Sequence, residues 1–215
     1  MPVSDITQEP KTMSRYDIVG KWSESLRHFV THVALLDEDK SSLKSGDEAS
    51  AVHMRPPLKR EDKITVNVGG CIPLTNDERK QVETWIEKVN DESRGYHWPD
   101  QYVIHPPWKD EYDRNTGIRR YRRYSCAGFV LDSHLHININ LLDINENVLP
   151  SVDRGTIIKA YPNVEKHPDL LIKWGLKGDG PWKVVLAGYV LHALNRSTDN
   201  IRNAPYKANN GDEKF

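Results

Sequence analysis

Long apolar runs are missing from this sequence of 215 residues. A membrane-spanning helix needs a run of roughly 18 apolar residues, and nothing in the chain approaches that length. The first residues, MPVSDITQEPKTMSRYD, also lack the apolar segment of an export signal. We therefore expect a cytoplasmic chain with no membrane span.

Cysteine and net charge are scarce as well. The two cysteines, Cys71 and Cys126, could pair, but a reducing compartment would keep both as thiols. The 30 basic and 31 acidic side chains leave no bulk field that would draw the chain onto nucleic acid or anionic lipid. A chain of this length buries a core without metal or disulfide support, so any binding or chemistry must come from local groups.

Hydrophobic patterning indicates where the fold begins and which segments form strands. Residues 1–15 are polar and contain proline, which predicts a flexible N-terminal arm. HFVTHVALLDED (28–39), SAVHMR (50–55) and KITVNVGGCIPL (63–74) are rich in β-branched and apolar residues, with KSSLKSGDE as a hairpin loop between the first two. These segments predict a small antiparallel sheet.

The rest of the chain favours helices. TNDERKQVETWIEKVNDES repeats its apolar residues about every 3.6 positions and begins with capping-box spacing, which predicts a helix. Residues 94–116 are rich in proline, tryptophan and tyrosine and predict an irregular loop over the surface. Residues 145–215 carry several helical patterns and predict a helical C-terminal extension packed on the core.

The segment RRYRRYSCAGFV (119–130) places Cys126 where an apolar helix begins. Unpaired N–H groups and the helix dipole favour negative charge there, so the position is expected to lower the pKa of the thiol. A thiolate nucleophile needs an imidazole as its base, and the imidazole needs a third polar group to fix its tautomer. His32 and His53 lie on neighbouring predicted strands and meet both needs. Each alone is commonly a core residue, so the combination is what indicates catalysis.

Several short motifs resemble the NlpC/P60 superfamily of papain-like thiol hydrolases. SCAGFV resembles the DCSGF and YCSEFV segments of that superfamily, in which the cysteine opens a helix. THVALLDED followed by AVHM resembles the HVGIYLG strand and the strand after it. His32 precedes Cys126, which is the order of the circularly permuted branch that includes YiiX-like and lecithin retinol acyltransferase-like proteins. GYHWPDQYVIHPP and YRRYSC also resemble the tyrosine-containing loop of the YiiX-like members, so the resemblance covers residues 16–140.

The resemblance implies an α+β, papain-like fold and a catalytic site. The core would span residues 16–144, with a small antiparallel sheet packed on the helix that bears the cysteine. Cys126 would be the nucleophile, His32 the general base, and His53 the third polar residue that orients His32. The backbone N–H of Cys126 is the expected oxyanion donor.

Four residues qualify that assignment. Asp37 or Glu38 would replace His53 if the strand register differed. Ser125 and Ala127 flank the cysteine where the family usually has Asp or Tyr before it and Ser or Glu after it. Small residues after the cysteine leave the start of the helix uncrowded.

Other polar residues near the predicted site are candidates for substrate binding or have simpler explanations. The substrate-binding candidates are Tyr124, Arg123, Tyr102 and His105. His97 and His105 belong to the loop YHWPDQYVIHPPW, and packing of that loop on the body would explain both equally well.

The remaining cysteine and histidines do not form a metal site. Cys71 has no histidine close in sequence and is expected to be structural. His134 and His136 are two apart on a predicted helix, so they face different directions and make a poor zinc set. His192 is expected to be a core or rim residue. We predict no metal and no cofactor.

The run RRYRRY has three interpretations. Its four arginines and its tyrosines would suit phosphate contacts and base stacking in an RNA-binding strand. The acids of KDEYDRNTG directly before it favour instead a strand whose arginines pair locally. A third interpretation has arginines beside the thiol stabilise the thiolate and attract a substrate carboxylate.

Together these patterns predict a cysteine hydrolase that cleaves an amide bond of a peptide or cell-wall peptide. Acyl transfer is a variant of the same chemistry. The alternative is a catalytically silent papain-like domain that binds a partner or nucleic acid through the strand rich in arginine and tyrosine, although the near-neutral charge speaks against nucleic acid.

Overall fold

The computed structural model describes residues 4–5, 11–26, 28–55, 57–96 and 100–215, with the backbone alone for Ser4, Asp5 and Glu61. His97 lies outside the described residues. The described chain is a mixed α+β structure of antiparallel sheets and helices. Its strands are β1 (Ser4–Asp5), β2 (Lys11–Met13), β3 (Ile18–Trp22), β4 (Val30–Leu36), β5 (Lys40–Leu43), β6 (Glu48–Met54), β7 (Leu58–Thr65), β8 (Val68–Gly70), β9 (Trp108–Tyr112) and β10 (Arg119–Tyr124). Its helices are α1 (Asn76–Ser93), α2 (Cys126–Leu135), α3 (Arg154–Ala160), α4 (Asn163–Lys166), α5 (Asp169–Lys173), α6 (Ala187–Leu194) and α7 (Thr198–Asn203).

A six-stranded antiparallel sheet lies at the centre of the fold, in the order β1-β8-β3-β4-β6-β7. The predicted strands at 28–39 and 50–55 are confirmed as β4 and β6, which pair with each other. The segment between them is only partly a loop, because β5 pairs with β2 in a separate two-stranded sheet. β4 thus occupies an inner position, with β3 on one side and β6 on the other.

Two sequence predictions about this sheet are wrong. The arm predicted at residues 1–15 contains β1, which pairs with β8, and β2, in which Met13 is 1% exposed. The predicted third strand is two strands: β7 pairs with β6, whereas β8 lies between β1 and β3. Met13 explains why residues 11–13 are not a flexible arm. Its apolar side chain is buried, and that burial stabilises the attachment of this otherwise polar segment.

The two faces of the sheet bury different cores, as strand alternation requires. On β4, Val33 and Leu35 belong to the larger core, while Ala34 and Leu36 belong to a smaller core on the other face. The larger core also receives α1, α2 and α6 and much of residues 137–208. α2 contacts both β4 and β6, so the expected packing of the cysteine-bearing helix on an antiparallel sheet is confirmed.

Helices α1 and α2 begin where the sequence predicts, whereas the helix predicted from Pro181 begins only at Ala187. Thr75 and Glu78 form the capping box of α1, and its buried stripe consists of Val82, Trp85, Ile86 and Val89, with Ser93. Residues 94–116 are not wholly irregular, because β9 pairs with β10 in a hairpin. The C-terminal part has short helices, α3 to α7, that share the larger core with the sheet. Among the described residues, no helix is both long enough and apolar enough to span a membrane.

Candidate functional site

Cys126 is the first residue of α2, as predicted. Ser125 is the N-cap, and its side-chain oxygen accepts a hydrogen bond from the Gly128 N–H at 2.9 Å. Gly128 also lets the loop before β9 approach, since a Cβ at this position would lie 1.9 Å from the Pro107 carbonyl oxygen. That carbonyl accepts a hydrogen bond from the Ser125 N–H at 3.0 Å. The sequence SCAG therefore anchors the start of the helix against the loop.

The thiol of Cys126 is buried, and the residue is 1% exposed. Burial raises the pKa of the thiol, and it outweighs the backbone N–H of Val33 and the hydroxyl of Tyr102, which both lower that pKa. The expectation that the helix terminus would lower the pKa of Cys126 is therefore wrong for this conformation. The resting thiol is protonated at neutral pH.

His32 and His53 are joined by a hydrogen bond, and a carboxylate extends the chain. The Nε2 atom of His32 lies 2.7 Å from Nδ1 of His53, and Nε2 of His53 lies 3.1 Å from Oδ2 of Asp62. Because the Asp62 carboxylate only accepts, His53 donates through Nε2 and its Nδ1 accepts. His32 must then donate through Nε2. The lone pair of neutral His32 is therefore on Nδ1, the nitrogen a general base would use.

Both imidazoles are held neutral. Burial, followed by the neighbouring His53 and by Arg55 and Lys21, lowers the pKa of His32 to about 3. Burial also lowers the pKa of His53, although Asp62 opposes it. The pair is thus unprotonated at neutral pH, but His32 is a weak base in this closed conformation, so deprotonation of Cys126 requires the pKa of His32 to rise when the site opens.

Cys126 is linked to the histidine-bearing strand β4 through its backbone, and it forms no hydrogen bond with the histidine pair. The recorded pairing of β4 with β6 joins Leu35 to Val52 and Leu36 to Ala51. Farther along, the His32–His53 hydrogen bond connects the two strands, and the thiol contacts the N–H of Val33, in the peptide group that follows His32. Cys126 and His32, both described, share no hydrogen bond, so the thiol and the proposed base are not engaged in this conformation.

A cavity of about 820 Å³ opens next to the histidine pair. His32 and His53 line it together with the aromatic residues Trp22, Tyr102, Tyr161 and Trp174. The hydroxyl oxygen of Tyr102 accepts a hydrogen bond from the Cys126 N–H at 3.4 Å. Tyr102 therefore lines the cavity and also contacts Cys126. Its hydroxyl accepts the hydrogen bond of the Cys126 N–H, which is the expected oxyanion donor.

The four predicted substrate-binding residues have different positions. Tyr102 lines the cavity, as just described. Tyr124 is 1% exposed, and its hydroxyl donates to Asp132 at 2.8 Å inside the core. Arg123 donates through Nε to the Tyr102 carbonyl at 3.1 Å, and His105 lies 3.2 Å from the Glu146 carboxylate. The structure thus gives Tyr124 and Arg123 structural contacts rather than places in the cavity lining.

The arginines of β10 pair with acids, as the local-pairing interpretation predicted. Arg119 contacts Glu92 and Asp110, Arg120 contacts Asp113, Arg122 contacts Asp110 and Asp132, and Arg123 contacts Glu111. Three of these acids come from KDEYDRNTG. Their carboxylates already neutralise the strand, which removes the support for an RNA-binding surface or for arginines that face the thiol.

The other candidates have structural partners. Cys71 is partly buried, and burial together with Asp17 raises the pKa of its thiol to about 12. His134 is buried with Nδ1 2.9 Å from the Val130 carbonyl, and burial lowers its pKa to about 4. His192 contacts the Lys214 carbonyl at 2.7 Å. Among the described residues, no group of three or more His, Cys, Asp or Glu side chains is arranged to hold a metal ion.

Asp62 is the site residue that sequence reasoning missed. Asp37 and Glu38, the alternatives to His53 in the sequence analysis, have other partners. Asp37 pairs with Arg15 at 3.0 Å, and Glu38 accepts a hydrogen bond from the Ser50 N–H at 2.7 Å. Asp62 is on β7 and pairs with Ala51 of β6. The register of the two strands shifts between Ala51 and His53, and the Asp62 carboxylate contacts the His53 ring. A correct pairing of β6 with LKREDKIT would have found it, because facing residues of antiparallel strands point to the same side.

A scan against protein-family models gives no match, and comparisons with curated proteins and with solved structures also give none. The functional argument therefore depends on the residues of this chain.

Proposed function

We propose that this chain is a cysteine hydrolase that cleaves an amide bond, with Cys126 as nucleophile and His32 as general base. The observation that carries the proposal is the hydrogen-bonded chain from His32 through His53 to Asp62, which leaves Nδ1 of His32 as the basic atom. The order of these residues and the motifs around them support a permuted NlpC/P60-like, papain-like site. His53 and Asp62 are positioning residues, since they act through His32.

The reaction begins with proton transfer from the Cys126 thiol to Nδ1 of His32. The thiolate attacks the amide carbonyl carbon, the C–N bond breaks, and the imidazolium of His32 protonates the departing amine. Water then attacks the thioester carbonyl carbon with His32 as base, the C–S bond breaks, the carboxylic acid leaves, and the imidazolium of His32 returns its proton to the Cys126 sulfur. The His53–Asp62 pair stabilises the imidazolium, because Asp62 compensates part of its charge.

Substrate entry requires Tyr102 to move. Cys126 is 1% exposed, and the Tyr102 hydroxyl accepts from its N–H. Displacement of that hydroxyl by a substrate carbonyl oxygen would free the N–H as an oxyanion donor and expose the sulfur. The same displacement lets sulfur and Nδ1 approach to the separation of about 4 Å or less that proton transfer needs.

Thiol labelling tests the proposal directly. We expect iodoacetamide to modify Cys126 faster than Cys71 near pH 7.5, as read by peptide mass spectrometry, because His32 can deprotonate only the first thiol. His32→Ala should reduce the Cys126 rate about a hundredfold, the low end of what a general base contributes. His136→Ala removes an exposed histidine at the end of α2 and is the matched control.

The opposite outcome is equally clear. A Cys126 labelling rate that does not respond to His32→Ala, measured also in the Arg123→Gln protein whose cover over the thiol is weakened, would contradict the enzyme and favour the catalytically silent domain. A hydrolysis assay with acyl-amide substrates then separates cleavage from acyl transfer, because acyl transfer needs an added amine or hydroxyl acceptor.

A further inference from the structure

The mouth of the cavity carries more positive than negative charge. Lys21, Arg55 and Lys63 line it, and Glu24 is the single carboxylate among its described lining residues. Lys21 pairs with Glu24 at 3.4 Å, and the Glu24 side chain is 89% exposed, so solvent screens the pair strongly. Arg55 and Lys63 are exposed and form no ion pair within 4 Å among the described residues, although Lys63 is one of the groups that lower the pKa of the Glu38 carboxyl, after the Ser50 N–H and Lys40.

The aromatic lining adds hydrogen-bond donors to this charge. Trp22 and Trp174 both line the cavity, and the buried indole Nε1 atom of each has no hydrogen-bond partner among the described residues. Trp174 as a whole is 5% exposed. A buried donor without an acceptor costs free energy, so the site favours a ligand that brings acceptor atoms.

We propose that the cavity selects substrates that carry an oxyanion, a carboxylate or a phosphate, near the scissile amide, and that Arg55 and Lys63 bind this group. That the bound molecule is a substrate rests on the proposed hydrolase function. The binding of an anion depends only on the residues that line the cavity. Arg55 suits a planar two-oxygen contact, whereas Lys63 supplies a point charge. Tyr161 and Trp174 also line the cavity and would contact the apolar part of the same molecule.

Anion binding would also act on the base. Arg55 and Lys21 are among the groups that lower the pKa of His32, after burial and His53. An oxyanion bound to Arg55 offsets part of that positive field and raises the pKa of His32. A substrate without the oxyanion would lose both binding and a share of the base strength, so its kcat as well as its KM would suffer.

Ligand binding to the Cys126→Ala protein tests the anion site without any catalysis. Succinate and inorganic phosphate are titrated separately against the intrinsic fluorescence of Trp22 and Trp174, with neutral succinamide as the matched compound. We expect saturable binding of succinate, of phosphate, or of both, and none of succinamide. Arg55→Gln should weaken binding about tenfold, the loss expected for one charge-assisted hydrogen bond, and Arg120→Gln should leave it unchanged.

Binding of neither anion, or equal binding of succinamide, overturns the inference, as does an Arg55→Gln protein with wild-type affinity. Saturable binding of either anion supports it and identifies which oxyanion fits.

Labelling of the unmodified thiol then separates the two proposals. The ratio of the iodoacetate rate to the iodoacetamide rate at Cys126 should fall about tenfold in an Arg55→Gln, Lys63→Gln protein, while the ratio at Cys71 stays constant. Anion binding without any labelling of Cys126 contradicts the hydrolase and leaves the anion site standing. Fast labelling with an unchanged ratio contradicts the anion site and leaves the hydrolase standing.

Discussion

Two clusters of positive charge occur in this molecule, and they differ in what surrounds them. The arginines of β10 are each held by a carboxylate, and Arg122 has two, at 2.7 Å from Asp110 and 2.9 Å from Asp132. At the cavity, Arg55 has no such partner among the described residues, and Lys63 forms no ion pair within 4 Å there, although it contributes to the lowered pKa of Glu38. The denser cluster in the sequence is therefore the neutralised one in the fold.

This difference shows why a run of like charges is a poor guide to binding. Acids that follow or precede the run in the chain can return in a hairpin and pair with it, as Asp110 on β9 does with Arg119 and Arg122. A binding surface needs charge that the fold leaves without compensation. Arg55 is inconspicuous in the sequence, yet it meets that condition.

The largest effect we expect is on the free energy of unfolding, which should depend on an arginine of β10 but not on Arg55 at the cavity. Arg122→Ala leaves Asp132, which is 6% exposed, without its cation, although the Tyr124 hydroxyl still donates to it. The free energy of unfolding should fall by about 3 kcal/mol, as for other broken, largely buried ion pairs. Urea denaturation measures it. Arg55→Ala is the control and should change stability by less than about 0.5 kcal/mol.

If Arg55→Ala were as destabilising as Arg122→Ala, Arg55 would have structural contacts and the comparison between the clusters would fail. Arg122→Lys, which keeps the charge and loses the two-pronged contact, should lie between Arg122→Ala and the wild type.

A smaller effect concerns mild acid. The folded pKa of His32 is lowered to about 3, below its unfolded value near 6.5, so the unfolded chain binds more protons between these values. This contribution to stability is complete above about pH 6.5 and is lost as the pH falls, at up to about 1.4 kcal/mol per pH unit. His134, whose pKa is lowered to about 4, adds a second contribution.

His32→Asn should therefore flatten the decrease in unfolding free energy between pH 6.5 and pH 4.5 without abolishing it. Denaturation midpoints at several pH values measure the slope. The pairs of β10 should be unaffected in this range, because Arg122 and Arg119 lower the pKa of Asp110 below its usual value. A slope identical in His32→Asn and wild type would show that His32 is protonated in the folded protein.

Local sequence signals account for the elements that depend on local chemistry. The capping box at Thr75 predicts the start of α1, and Ser125 with Cys126 marks the start of α2, because both caps are satisfied within four residues. The neighbouring positions of His32 and His53 also follow from two adjacent strands. The family resemblance supplied their suggested roles.

Features that depend on contacts distant in the chain escaped prediction. β2 pairs with β5, and β8 pairs with β3. The sequence of each strand contains no signal that identifies its partner. The burial of Cys126 comes from Tyr102 and β4, so the helix terminus alone gave the wrong direction for its pKa. Asp62 required the register of β6 on β7, which includes a shift.

The smallest expected effect tests how the two clusters are connected. Arg123 donates hydrogen bonds to the Tyr102 carbonyl, from Nε at 3.1 Å, and to the Lys173 carbonyl at 3.0 Å. These bonds hold the backbone at Tyr102 and next to Trp174, two aromatic residues that line the cavity. Arg123→Gln weakens that support. We expect iodoacetamide to label Cys126 about fivefold faster, the factor that corresponds to roughly one hydrogen bond.

Cys71 provides the internal control for that experiment. An equal increase at both thiols would indicate general destabilisation, whereas an increase at Cys126 alone would show that an arginine with no place in the cavity lining holds the cover over the thiol. An unchanged Cys126 rate would mean that the packing of Tyr102 against Trp174, with ring centroids 5.0 Å apart, suffices to keep the cover closed. In that case β10 and the cavity are independent regions that only share a neighbour.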